Sequence, residues 1–383
     1  MLKRFLDYIR ITPHTLLVVF CLLALIDGGV RYYWANLYQA PGRVRLVNEE
    51  LATLETMQNE IRSARGFKIL FLGDSAAYGS AVKDSSQTIP AFLEQELNRL
   101  WPGRDVRVFN YAFKGYGMSE NYFVLNSLAD TNLDMVIYNV STGWFNMGKA
   151  LEHPNVVLLS NRYFGQAQIA KTGVKTERSK KDKWAAQVNR VVGTGWSFYQ
   201  NRSAISTMIL GKPIRAKLTD WQLALTNPAE LAKRQREDAE LFLPWDDKDW
   251  SIKLGQAGYQ VGYVNLSQGN PQVIFYRLIL SLLTEKKIKS VIYTSPQNFT
   301  LLDRYNMLDR GAWAKSIDTL RNTSVRNGVY FTDYTNLVDQ RYFSDTVHLV
   351  AQGNRDVARQ LARDISVRYA RNNAGQVRGD IRR

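Results

Sequence analysis

The chain has 383 residues, 45% of them apolar, which is enough for one large folded body or two ordinary ones and too many for a disordered chain. Its one cysteine, Cys21, falls in an apolar N-terminal stretch, which excludes an intrachain disulfide, a zinc knuckle and a cysteine nucleophile in the folded body; three histidines, none at ligand spacing from another, argue against a metal. A net charge of +15 without any nucleic-acid module points to a membrane surface and to anionic lipids or envelope polymers as partners, a solvated basic surface being the plainer alternative.

The first stretch reads MLKRFLDYIRITPHTLLVVFCLLALIDGGVRYYW. Lys3, Arg4 and Arg10 precede an apolar core from about Leu16 to Ile26, and Tyr32, Tyr33 and Trp34 follow at interfacial depth, the pattern of a signal anchor over residues 1–36. The core is shorter than the roughly 20 residues of a spanning helix, so a cleaved signal peptide and an interfacial helix stand as alternatives. No small-x-small cleavage site precedes Asp27, which favours a retained anchor. The positive-inside rule then puts the N-terminus in the cytoplasm and everything after Trp34 outside, a single-pass membrane protein. In residues 37–66, Val47, Leu51, Leu54 and Ile61 recur at near-heptad steps and predict an amphipathic linker helix that either lifts the body off the membrane or packs against it.

From Phe67 the pattern changes. Runs at 67–74, 105–112, 134–141, 288–296 and 328–334 read as buried parallel strands, with amphipathic helices at 87–101 and 309–328 between them. This β-α alternation predicts an α/β fold, a doubly wound, flavodoxin-like, three-layer parallel sheet over 67–147 and 270–366. Between 148 and 269 the strand rhythm stops. That segment, with an exposed basic loop at 175–184 and a helix with proline in its first turn at 227–245, reads as an inserted, mostly helical cap. Residues 367–383 read as a basic, frayed tail.

In a doubly wound sheet the ligand site lies at the carboxyl ends of the strands, where Ser75, Gly115, Ser141 and Ser295 fall. FLGDSAAYGS (71–80) puts Ser75 directly behind a Gly-Asp pair at a strand end, and YFSDTVHL (342–349) puts Asp345 three residues before His348. Serine attack needs a base, a group to orient that base and donors for the oxyanion. A D-x-x-H turn can supply orienter and base together, with Nε2 facing the serine. Each motif has a plain alternative: Asp74 or Ser75 capping a turn, and Ser344 or Asp345 capping a helix that carries His348 in its first turn. His14 lies in the anchor and His153 at the edge of the insert, which leaves His348 as the base candidate.

Strand-G-D-S near the start and D-x-x-H near the end together resemble the SGNH (GDSL-like) hydrolase and acyltransferase superfamily. The resemblance implies Ser75 as nucleophile, His348 as general base and Asp345 as orienting acid, with no cofactor. Its second block matches NYAFKGYG (110–117), implying that Gly115 offers its backbone N–H to the oxyanion. The third block departs: VSTGWFN (140–146) places Gly143 where the family carries an asparagine, leaving Asn146 or a backbone N–H for that role. S-x-x-W-F, YTSPQN (293–298) and YFSDTVHL also resemble the DltD family of membrane-anchored proteins of D-alanylation. That likeness implies transfer of a D-alanyl or acetyl group to an envelope polymer with a multispanning membrane O-acyltransferase as partner, and Trp144, Phe145, Gln297 and Asn298 lining the pocket. The plain alternatives are core or cap packing for the two aromatics and turn closure for Asn298. A membrane-anchored esterase and a noncatalytic adaptor are the other functions that remain open.

Overall fold

The five apolar runs become five parallel strands: β1 (Phe67–Leu72), β2 (Val106–Asn110), β3 (Met135–Val140), β4 (Ser290–Thr294) and β5 (Tyr330–Asp333). The computed structural model describes residues 12–147, 149–177, 184, 187–188, 191–193, 195–208, 214–248, 250 and 264–380. Strand order is β2-β1-β3-β4-β5, the flavodoxin-like order, with Phe67 opposite Val106, Ile69 opposite Met135, Val136 opposite Ser290 and Val291 opposite Tyr330. The chain reverses its direction of winding between β1 and β3, so a crevice opens beyond their carboxyl ends.

Strand side chains alternate between faces, and the sheet is apolar on both. Ile69 and Phe71 of β1 join one layer with α4 (Ile89–Leu100) and the long α13 (Ala351–Asp380). Leu70 and Leu72 join the opposite layer with α5 (Met118–Leu128), α10 (Pro271–Glu285) and α12 (Arg310–Arg326). The amphipathic stretch before β1 forms α2 (Leu51–Ser63), shorter than its pattern, because residues 44–50 run without helix. Leu54, Met57 and Ile61 are fully buried on the body, each burial stabilising by about 1.5–3 kcal/mol, so α2 packs on its own domain.

The apolar N-terminal stretch forms α1 (Pro13–Leu37), 25 residues, long and apolar enough to cross a membrane. Its first half is exposed throughout from Leu16 to Ile26. Its second half is bound to the body: Asp27 accepts from the Phe198 N–H at 2.7 Å, and Arg31 pairs with Asp27 while donating to the Gly195 carbonyl at 2.8 Å. Trp34, expected at interfacial depth, is instead a core residue, 8% exposed, because its position on the helix faces Tyr38 and the body; Tyr32 stays exposed.

Between β3 and β4 the described residues carry the helices α6 (Gln166–Ala170), α7 (Ser197–Ile205), α8 (Arg215–Thr226) and α9 (Pro228–Glu240), the last capped by Asn227 with Pro228 in its first turn. Residues 178–183 of the basic loop lie outside the described residues. The tail expected to fray from 367 continues α13 to Asp380; no proline interrupts it.

Candidate active site

Gly73 turns the chain out of β1. A Cβ there would stand 2.6 Å from the Ala77 Cβ and 3.1 Å from the Asn139 Cβ, so only glycine lets the strand fold back this sharply into α3 (Ser75–Tyr78). Asp74 caps α3, its Oδ1 accepting from the Ala76 N–H at 2.9 Å, while Oδ2 accepts from Trp144 Nε1 at 2.8 Å. The capping alternative is therefore real for Asp74, and it sets Ser75, half-buried, at the helix start.

The second half of the site is a closed turn. Phe343 and Leu349 form an antiparallel bridge, Ser344 N–H donates to the His348 carbonyl at 2.7 Å, and Val350 N–H donates to the Tyr342 carbonyl at 3.0 Å. Inside that turn Asp345 Oδ1 accepts from the N–H groups of Val347 (2.9 Å) and His348 (2.7 Å). Its Oδ2 is 2.6 Å from His348 Nδ1, and His348 Nε2 is 2.8 Å from Ser75 Oγ. An ionised carboxylate only accepts, so Nδ1 carries the proton and Nε2 of the neutral ring is left to accept from the serine hydroxyl. α13 begins at Ala351, beyond the turn, so neither Ser344 nor Asp345 caps it.

Burial opposes charge on His348, but the Asp345 carboxylate, by proximity and hydrogen bond, outweighs it; Asp74 adds to the rise, Lys114 opposes it, and the imidazole pKa moves up from 6.5. For Asp345, burial raises the pKa, and the His348 charge and the three hydrogen bonds reverse this and bring it down to about 2. The pair therefore stabilises the imidazolium that forms when the ring takes the serine proton during attack. Both side chains keep an opening to solvent, 22% for His348 and 32% for Asp345.

The other predicted residues separate. Gly115 has φ +85°, in the left-handed region, and a Cβ on it would lie 2.6 Å from His153 Nε2. His153 is held over it: the buried Glu120 accepts from the N–H groups of Glu152 and His153 through Oε1 and from Gly117 N–H and Ser119 Oγ through Oε2. Gly143 is exposed with open space around it. Trp144 does border the serine turn, through Asp74. Phe145 takes its core-packing alternative: it is fully buried against Tyr276, drawn there by the apolar layer under β3. Asn146 Oδ1 accepts from Asn265 N–H at 2.9 Å, so this oxygen pins the far end of the insert.

Asn298 takes its turn-closing alternative, and Gln297 lies beside it in the same turn. Both are buried, and Asn298 is fully so, which makes it a positioning residue for the histidine turn rather than pocket lining. Its N–H donates to the Thr346 carbonyl (2.9 Å), its Nδ2 to the Asp345 carbonyl (3.2 Å), and its Oδ1 caps α11 (Phe299–Arg304). The Gln297 N–H donates to the Thr335 carbonyl instead. The insert grips the same turn from outside, with Trp245 N–H on the Phe343 carbonyl (2.9 Å) and Lys248 Nζ on the Ser344 carbonyl (2.6 Å). Sequence reasoning missed His153, Lys248 and the true work of Asn298; a glycine at 115 in an otherwise bulky loop was the one local sign that a neighbour approaches closely.

No family model and no curated protein matches the chain. Solved structures do. The chain is similar to carbohydrate acetylesterases and aryl esterases. A carbohydrate acetylesterase family member from Sinorhizobium meliloti shares 12% identity over 79% of this chain and 98% of its own, with a TM-score of 0.34. The carbohydrate acetylesterase Est24 from Sinorhizobium meliloti shares 13% over 79% and 99%, with a TM-score of 0.31. The native aryl esterase of M. Smegmatis shares 12% over 79% and 99%, also with a TM-score of 0.31.

Proposed function

We propose that the protein is a serine-dependent acyl-transfer enzyme with Ser75 as nucleophile, His348 as base and Asp345 as orienter. The observation that carries this reading is the unbroken hydrogen-bonded chain of 2.8 Å and 2.6 Å from Ser75 through His348 to Asp345. Ser75 Oγ attacks the acyl carbonyl as its proton passes to His348 Nε2; the ring then gives that proton to the leaving oxygen, and an acyl-serine remains. The Ser75 and Gly115 N–H groups are the candidate oxyanion donors. In the second half, Nε2 takes a proton from the acceptor hydroxyl, which attacks the acyl-serine and regenerates the enzyme.

The acceptor we propose is a hydroxyl of an anionic extracytoplasmic polymer, and the acyl group acetyl or D-alanyl, delivered with a multispanning membrane O-acyltransferase. This finer reading is supported by the DltD-like motifs, the apolar α1 and the charge of +15. Water as acceptor makes the same site an esterase. The test is a fluorophosphonate applied to the full chain, followed by peptide mapping. We expect a single adduct on Ser75, absent in Ser75→Ala and His348→Ala; folded wild-type protein that gives no adduct overturns the reading and leaves a noncatalytic adaptor.

A further inference from the structure

At the foot of α1, separate from the serine turn, lies a cavity of about 230 Å³, far above the ~10–15 Å³ that admits one water molecule. Its wall is mostly apolar, yet four of the residues lining it carry a buried polar atom with no partner among the described residues: Trp34 Nε1, Arg45 Nε, Thr53 Oγ1 and Asn201 Oδ1. Trp34, Thr53 and Asn201 are 8%, 9% and 4% exposed, so bulk water does not satisfy them. Unmade hydrogen bonds of this kind are costly, and native proteins carry few of them.

The set has a definite chemistry. Trp34 and Arg45 donate, Thr53 does either, and Asn201 Oδ1 accepts. Arg45 is a cation whose Nη2 meets only neutral carbonyls, those of Val82 (3.0 Å) and Asp84 (3.2 Å). The exposed Arg43 also lines the cavity. Burial lowers the Arg45 guanidinium from its ordinary value, and the Asp84 carboxylate, which feels the charge of both arginines, offsets this only in part. The cavity therefore offers donors and positive charge beside an apolar wall, next to the helix whose exposed half is long and apolar.

We propose that this cavity binds the polar–apolar junction of an anionic lipid: ester and phosphate oxygens on Trp34, Thr53 and the arginines, a glycerol hydroxyl on Asn201, and the start of one acyl chain against Met57 and Ala204. The inference rests on α1 entering a bilayer and is independent of the chemistry at Ser75.

The test uses the full chain in phosphatidylcholine vesicles with a trace of phosphatidylglycerol carrying a diazirine on its acyl chain near the ester. After irradiation, adducts are mapped, and the experiment is repeated with the same diazirine on phosphatidylcholine and on a free fatty acid. Expected are adducts on residues 43–57 and 197–208 as well as on α1, with phosphatidylglycerol favoured about fivefold over phosphatidylcholine, as one basic side chain near an anionic surface supplies. Ala204→Trp, or the milder Ala204→Leu where the first does not fold, is expected to remove the wall adducts and leave those on α1. Labelling confined to α1, equal labelling by both phospholipids, or wall labelling unchanged in a folded filling variant overturns the proposal. A fatty-acid preference reassigns the occupant to a free amphiphile and overturns the lipid assignment. No adduct anywhere overturns both the cavity and the membrane reading, while fluorophosphonate reaction in the same sample reports separately on Ser75.

Discussion

His348 and His153 both stand at the carboxyl end of the sheet near carboxylates, and their surroundings differ in one respect that decides what each can do. His348 shares a closed turn with Asp345, so carboxylate and ring are fixed by the same backbone bonds and meet at 2.6 Å. His153 meets Glu49 at 3.9 Å, beyond hydrogen-bond reach, and its own buried carboxylate, Glu120, binds its backbone N–H rather than its ring. One arrangement makes a base; the other places a ring against Gly115. A histidine beside an acid is informative only when the acid reaches the ring nitrogen.

The strongest way to break the contrast is at the turn itself. Asp345→Ala, measured by the rate of fluorophosphonate reaction at Ser75, is expected to lose on the order of 10³–10⁴-fold with the protein folded, because the ring loses both tautomer and orientation. Asn298→Asp keeps the oxygen that caps α11 but exchanges the amide donor to the Asp345 carbonyl for a carboxylate, and is expected to slow the reaction about 10²-fold by loosening the turn. A rate within twofold of wild type would falsify the positioning role.

Gly115→Ala sharpens the other side. The new methyl group meets His153 Nε2, and the left-handed backbone adds about 1–2 kcal/mol of strain. Pairing it with His153→Ala is expected to recover the part of the lost stability due to the contact and leave the backbone part, read by urea denaturation of the two variants.

The smallest effect is in pH. The raised His348 pKa puts the acid limb of the reaction midpoint above 6.5, since the ring must be neutral to accept a proton, and Asp345→Asn is expected to move that limb to lower pH. Stability runs the other way. The contribution of protonated His348 is complete below 6.5 and is lost as pH rises through the raised value, whereas that of ionised Asp345 is complete above 3.8 and is lost as pH falls towards about 2. Thermal melts of wild type against His348→Gln across pH 5–8 check the first sign.

The strands were legible because each is a short apolar run ending at small polar residues, and the D-x-x-H turn because the bonds that join Asp345 to His348 are local. The Asp74–Trp144 bond was not, since it joins residues 70 apart through a 3₁₀ turn that no periodicity announces. Asn298 was legible only in part: turn closure stood among its readings, but its bonds to the backbone of a turn far along the chain were not readable from spacing. Trp34 was placed by helix rotation against the body, which an apolar stretch with aromatics at its end does not encode.

The welding of α1 to the body has a mechanical meaning. Asp27 fastens the helix to α7, Arg31 fastens it to Gly195 just before α7, and Trp34 buries the next turn, so α1 is held to the body at several points rather than by a loose stalk. Ser75 is carried at one height and one tilt relative to the exposed apolar half of α1. In the acyl-transfer reading proposed above, with α1 in a bilayer, a substrate would have to come to Ser75 at that height, so that reach as well as recognition would sort what the serine meets.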